Sequence, residues 1–292
     1  MSPKPLFLLL AAVSYIWQGA NDQARAFENE ASAPAPVLPE IAHVGLIKAI
    51  DQALAGHRFV EAKDLLDKLE AGQDSVEDGN VKLLRAEWLI AVGRAAEARP
   101  LLNSIDHGFG QRCRVFSAEL IASLQMADLD RADRLVADSE HACRYDPVYW
   151  RSLARLHLLR ERPAAAIEAF RIALSLAPAN DAILGELGVA QIAADQPGEA
   201  VRTLADLVKR NPDRADVQIN LDYARGMSGQ RPARAATDDD MFWSRRLQYA
   251  GLGARQGGHR SLAEALLGQA LIERPKHDAE LWRQYADVSG SI

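Results

Sequence analysis

Cysteine, histidine clusters, strand-like alternation and basic runs are all scarce in this sequence, and each shortage removes a class of protein. Two cysteines, Cys113 and Cys143, occur in 292 residues. They form no C-x-x-C pair, which excludes a dithiol redox motif. The seven histidines are scattered, without H-x3-H or H-E-x-x-H spacing. His141-x-Cys143 alone falls short of the three or four converging ligands that a metal site needs, so no metal or cofactor is expected. Val, Ile, Tyr and Thr never alternate with polar residues over a strand's length, so no sheet is expected. Lys and Arg total 34 against 40 Asp and Glu, with no basic run. Nucleic-acid binding rests on phosphate neutralisation, and this balance argues against it. Gly251-x-Gly253 with Gly257-Gly258 lies inside and just after a helical pattern, where a dinucleotide loop would have to follow a strand. No P-loop, nucleophile elbow or paired carboxylate stands in a recognisable context. The reading is therefore non-enzymatic, with no catalytic residue named.

One apolar run stands apart. Leu6 to Trp17 is too short to cross a bilayer as a helix. It follows Lys4 and precedes Ala24-Arg25-Ala26, a small-x-small cleavage pattern ahead of Phe27. Residues 1–26 read as a secretory signal. That implies a periplasmic protein with no membrane insertion after cleavage. A cytoplasmic protein, or one anchored by an uncleaved N-terminus, is the alternative. Residues 27–40 carry Pro34, Pro36 and Pro39 and read as a linker, since closely spaced prolines cannot sit in a helix interior.

Helix formers dominate the rest. Pro147 to Pro212 holds two helical hairpins of one design. The first has Trp150, Leu153-Ala154 and His157, then Ala166-x3-Phe170, Ala173 and Pro178. The second has Leu184, Leu187-Gly188 and Gln191, then Ala200-x3-Leu204 and Pro212. From Pro178 to Pro212 is one period of 34 residues. The small residues let two helices cross closely, the large ones fill the gap between hairpins, and proline ends the second helix. The same phase places units at Gly79, Cys113, Pro147 and Asp181. Ala98-x3-Leu102 and then Ala132 with Val136 repeat the second-helix pattern. Ala62-x3-Leu66 marks a degenerate first pair, and Asp128 reads as an N-cap.

This order of residues and this period resemble the tetratricopeptide repeat. The resemblance covers about residues 43–288 and is specific at 147–180, 181–214 and 244–277. It implies an all-α, right-handed superhelix of about six to seven helix pairs over residues 41–292. After Pro212 the register loosens. A first helix over Asp216–Met227 lacks its partner. The next is expected from Thr237, with Asp238, Asp239 and Asp240 in its first turn. A last helix, Asp278–Val288, is expected to pack Trp282 and Tyr285 back onto the stack.

In this family the first helix of each pair lines the concave side, which commonly binds protein segments. Carried onto this chain, that lining is Arg114, Ser117, Ile121 and Leu124; Val148, Arg151, Arg155 and Leu158; Ala182, Gly185, Val189 and Ile192; and Arg245, Gln248, Leu252 and Arg255. The family's carboxylate clamp is not expected, because Glu186 and Asp216 stand where amides or bases are required. The arginines suggest a protein or peptide partner, acidic where it meets them, or an anionic polysaccharide. Their alternative role is pairing with neighbouring carboxylates. Cys113 and Cys143 fall at the same open end of one hairpin, so a disulfide is geometrically reasonable, with two free thiols as the alternative. The functional expectation is a scaffold that helps assemble a cell-envelope, pilus, secretion or exopolysaccharide system. An enzyme using the Gly229–Trp243 segment is the remaining alternative.

Overall fold

The computed structural model describes residues 41–71, 79–106, 111–139 and 141–290. The signal and linker expected over 1–40 lie outside these. Fourteen α-helices and no strand occur among the described residues. They are α1 (Ile41–Ala55), α2 (Phe59–Glu70), α3 (Gly79–Ala91), α4 (Ala95–Asn103), α5 (Arg112–Gln125), α6 (Leu129–Ser139), α7 (Pro147–Leu159), α8 (Pro163–Leu176), α9 (Asp181–Ala193), α10 (Pro197–Arg210), α11 (Ala215–Met227), α12 (Asp240–Gln256), α13 (Arg260–Glu273) and α14 (Ala279–Ser289). The all-α expectation holds.

A single turn builds the hairpins. In each, one residue takes the left-handed conformation: His57, Gly93, Ala127, Glu161, Asp195, Gly229 and Gly258. The next residue's N–H then reaches five residues back, as in Arg94 to Leu89 at 2.7 Å, Asp128 to Ser123 at 2.9 Å and Gln196 to Gln191 at 2.8 Å. This satisfies a carbonyl left open at the helix end and reverses the chain. From Gly93 to Gly229 the turn recurs every 34 residues. The second helices keep the same step, starting at 95, 129, 163 and 197.

Packing follows the same columns. Ala98, Ala132, Ala166 and Ala200 are fully buried where the two helices of a pair cross. Leu102, Phe170 and Leu204 are buried four residues later. A further step of 34 reaches Arg234 and Asp238, which cannot fill those places. Gly229 still makes its turn, but residues 231–239 form no helix. Helix α12 therefore begins at Asp240, three residues later than expected. It is capped by Asp239, whose Oδ1 accepts from the Phe242 N–H at 2.7 Å. Helix α12 packs directly on α11. A Cβ at Gly226 or Gly253 would collide with the other helix's backbone, so only glycine permits this approach.

The chain divides into two compact units within α7, between Leu156 and His157. Up to Leu156, one apolar core runs from Ile50 through Leu66, Leu84 and Trp88 to Ala118 and Ala122. Asp128 caps α6 by accepting from the Arg131 N–H at 3.3 Å. Cys113, in the first turn of α5, is bonded to Cys143, with Cα atoms 5.2 Å apart. Cys143 lies in the turn beyond α6 rather than at its last residue. Closing a loop of this size contributes about 3 kcal/mol in the chain-entropy picture.

From His157 onward, one cluster joins α9, α10 and α11 around Leu204, Leu207 and Leu221. Another joins α12, α13 and α14 around Leu247, Leu267 and Leu281. Tyr285 packs on this last cluster as expected, but Trp282 stays half exposed, edge-on to the Tyr285 ring.

Ala127 holds a left-handed φ of 54° with an exposed side chain. An L-residue there costs roughly 1–2 kcal/mol that glycine avoids, against glycine's larger unfolded-state entropy. Ala127→Gly should therefore raise stability by about 0.5–1 kcal/mol, read from urea unfolding midpoints.

Candidate partner-binding surface

In the unit ending at Leu156, the arginine expected to face a partner is already committed. The Arg114 Nε donates to Glu87 Oε1 at 2.6 Å, and its Nη2 reaches Glu87 Oε2 and Asp51 Oδ1 at 2.5 Å each. Its Nη1 contacts Gln111 Oε1 at 3.3 Å. Asp51, Glu87 and Arg114 sit on α1, α3 and α5, so one guanidinium ties three successive first helices together. Burial pushes the Glu87 carboxyl up, and Arg114 offsets part of that. Burial also works against the Arg114 charge, but its hydrogen bonds and charge pairing with Glu87 and Asp51 outweigh this and hold it protonated. With two carboxylates to one guanidinium, this patch is no cationic site.

Ser117 is a correction to the expected lining. It is buried, and its Oγ donates to Asp146 Oδ2 at 2.7 Å, fixing the residue that caps α7. Ile121 is half-buried against the core. Arg151 and Arg155 lie one helical turn apart on α7, both half-buried, and each already interacts within the chain.

In the unit from His157, Leu158 and Ala182 are half-buried. Gly185 turns toward α10, where an added Cβ would lie 3.4 Å from Leu207. Val189 is a second correction, with 3% exposure. Ile192 and Leu252 are buried too. Helix α9 buries side chains nearly all round, as expected for a helix flanked on several sides. Arg245 is half-buried and engaged. Gln248 accepts from Arg274 at 2.6 Å and donates to Gln284 at 2.8 Å, bridging three helices. Arg255 is exposed beside Asp287 at 3.4 Å. Asp216 is held by both arms of Arg214, at 2.8 and 2.6 Å, in keeping with the absence of a carboxylate clamp.

The residue that sequence reading passed over is Arg246. Asp222 and Asp238 are buried and stand 34 residues after Gly188 and Leu204. Two core columns of the repeat are therefore acidic here. Arg246 answers both, with Nε to Asp222 at 2.7 Å and Nη1 to Asp238 at 2.5 Å. Arg225 adds a bond to Asp222 at 3.0 Å, and the Ala235 N–H one to Asp238 at 2.8 Å. The guanidinium also lies over the Trp243 ring at 5.5 Å. Burial pushes the Asp222 carboxyl up, and the two arginines pull against it. The neighbouring acids are equally occupied, since Asp239 caps α12 and Asp240 binds Arg234 at 2.6 Å. Asp238, through Arg246 and the Ala235 N–H, and Asp240, through Arg234, hold the 231–239 strap in place.

Residues 157–221 match the family model for the tetratricopeptide repeat. Among solved structures, a chain of the APC/C hetero-tetramer Cut9-Hcn1 aligns at 15% identity with a TM-score of 0.55. The alignment covers 94% of this chain and 53% of that one, so the present chain spans about half its length. MamA AMB-1 aligns at 21% identity over 58% of this chain and 99% of its own, with a TM-score of 0.38. The TPR domain of P58(IPK) aligns at 15% identity over 86% and 65%, with a TM-score of 0.30. No curated protein sequence matches the chain. Over residues 157–221 the repeat is of the tetratricopeptide type, and the likeness to the Cut9-Hcn1 chain is one of fold, helix pairs following one another along the chain.

Arg246→Met would leave Asp238 buried without its cation and Asp222 with Arg225 alone. Breaking a buried pair from one side costs about 3–5 kcal/mol. Urea unfolding should show a loss of that order, and proteolysis should cut first within 231–239.

Proposed function

We propose that the chain is a non-enzymatic adaptor of the bacterial periplasm, holding a segment of a partner protein during assembly of a cell-envelope, pilus, secretion or exopolysaccharide system. Stacked tetratricopeptide pairs serve as protein-interaction scaffolds. Two features suit that role. Each pair is closed by the same hydrogen-bonded turn, so the faces are preformed and a bound segment does most of the ordering. Asp238, Asp239 and Asp240, the acids of the catalytic alternative, all have structural partners, which favours the non-enzymatic reading.

The observation that carries the reading is the pair Arg151 and Arg155. They sit in register on a first helix and remain partly accessible, while Arg114 is consumed by Glu87 and Asp51. An acidic segment would gain charge-assisted hydrogen bonds from both guanidiniums.

A pull-down from the periplasmic fraction, run with the wild type and with Arg151→Glu/Arg155→Glu, tests this. The reading expects a protein partner whose recovery falls at least tenfold in the variant. Equal recovery would remove these arginines from the interface. Intact mass of the native protein should correspond to an N-terminus at Phe27, and a full-length mass would contradict export with cleavage.

A further inference from the structure

The face of α3 opposite Glu87 carries a groove that the adaptor reading does not use. Val81, Lys82, Arg85, Trp88 and Leu89 fall on that side of the helix at 100° per residue. Helices α2 and α4 form its walls, with Lys63 and Glu70 on one and Glu97, Pro100 and Leu101 on the other. The volume is about 600 Å³, enough for a few residues of peptide.

Trp88 explains why the groove is here. Steps of 34 residues from it reach Ala122, Leu156, Ala190 and Ala224, all buried. Only this repeat puts an indole in that column. Its Nε1–H donates to the Phe59 carbonyl at 2.9 Å, which fixes the ring beneath the start of α2. Arg85 and Arg94 bring guanidinium carbons to 5.4 and 5.9 Å from its centroid. The floor is therefore apolar and rigid, flanked by cations.

The charge of the lining is opposite to that of the whole chain. Lys63, Lys82, Arg85 and Arg94 meet three carboxylates, Glu70 and Glu97 in the lining and Asp67 on the rim, in a protein of net charge −6. Asp67 on the rim pairs with Lys63 at 2.7 Å and with Arg85 at 3.4 Å. Arg94 pairs with Glu97 at 2.7 Å. These pairs are partly exposed and hence weak and exchangeable.

We infer that this groove is a second docking surface, which takes a short acidic peptide segment carrying one aromatic or aliphatic side chain. The apolar side chain rests against half-buried Leu101 and the narrow exposed edges of Trp88 and Leu89, which are otherwise buried in the core, and its flanking carboxylates take over the cations on the rim. The inference does not depend on Arg151 and Arg155.

The test uses fluorescein-labelled pentapeptides read by anisotropy on the full chain. The probe is phenylalanine between pairs of glutamates, with serine-centred and lysine-flanked versions as controls. The groove predicts binding of the probe, at least tenfold weaker binding of the serine version and none of the lysine version. Lys63→Glu/Lys82→Glu should weaken the probe at least tenfold, whereas Arg151→Glu/Arg155→Glu should leave it unchanged. If the charge-reversed pair loses helical circular dichroism, Lys63→Gln/Lys82→Gln decides, with a weaker effect in the same direction. No binding at millimolar probe, indifference to the Lys63 and Lys82 changes, or loss confined to the Arg151 and Arg155 variant would each overturn the groove. The last outcome would place the peptide on the first-helix face and leave the adaptor reading standing.

Discussion

The structure depends on one backbone hydrogen bond, made seven times. A left-handed residue follows the first helix of each pair, and the next N–H closes onto a carbonyl five residues back. Side chains at these turns range from glycine to histidine, aspartate and glutamate. What is held constant is the chain reversal and, from Gly93 to Gly229, the distance to the next one. Once that distance is fixed at 34 residues, small and large side chains fall into columns, and each pair covers a face that its neighbour exposes.

The degenerate repeat shows what the constraint allows. Gly229 makes the turn on schedule, yet no helix follows, because the positions that would enter the core are Arg234 and Asp238. The chain passes as a strap instead, and α12 moves against α11 through glycine contacts. Two acids left in core columns are bridged by one arginine from the following helix, and Arg225 adds a bond to the first of them. A buried ion network is a costly substitute for a leucine, since desolvation offsets most of its attraction. What it provides is directional hydrogen bonds that hold a helix-free segment in one place.

The columns were readable wherever residue type and position agreed, as for Ala166, Phe170, Ala200 and Leu204. The Asp128 cap and the Cys113–Cys143 pairing followed from local geometry. Asp239 was placed within a helix turn rather than at its cap, because a run of three acids does not say which one the first N–H will choose. Ser117 and Val189 were assigned to an open face by family position alone. The structure buries both, one beneath Asp146 and the other inside a helix apolar on nearly every side. Arg246 was missed because its partners are 24 and 8 residues away. Its signal was Asp222 and Asp238 falling on the 34-residue columns, visible only once those columns are extended past Pro212.

With Arg114 spent on Glu87 and Asp51, the adaptor account rests on α7. The most direct measurement is photo-crosslinking in intact cells, from a photoreactive residue placed at position 155 and, as control, at the exposed Ile172 of α8. The account predicts a discrete protein adduct from position 155, in a membrane-enclosed but extracytoplasmic fraction, and none from position 172. Adducts of equal yield from both positions, or from 172 alone, would contradict it.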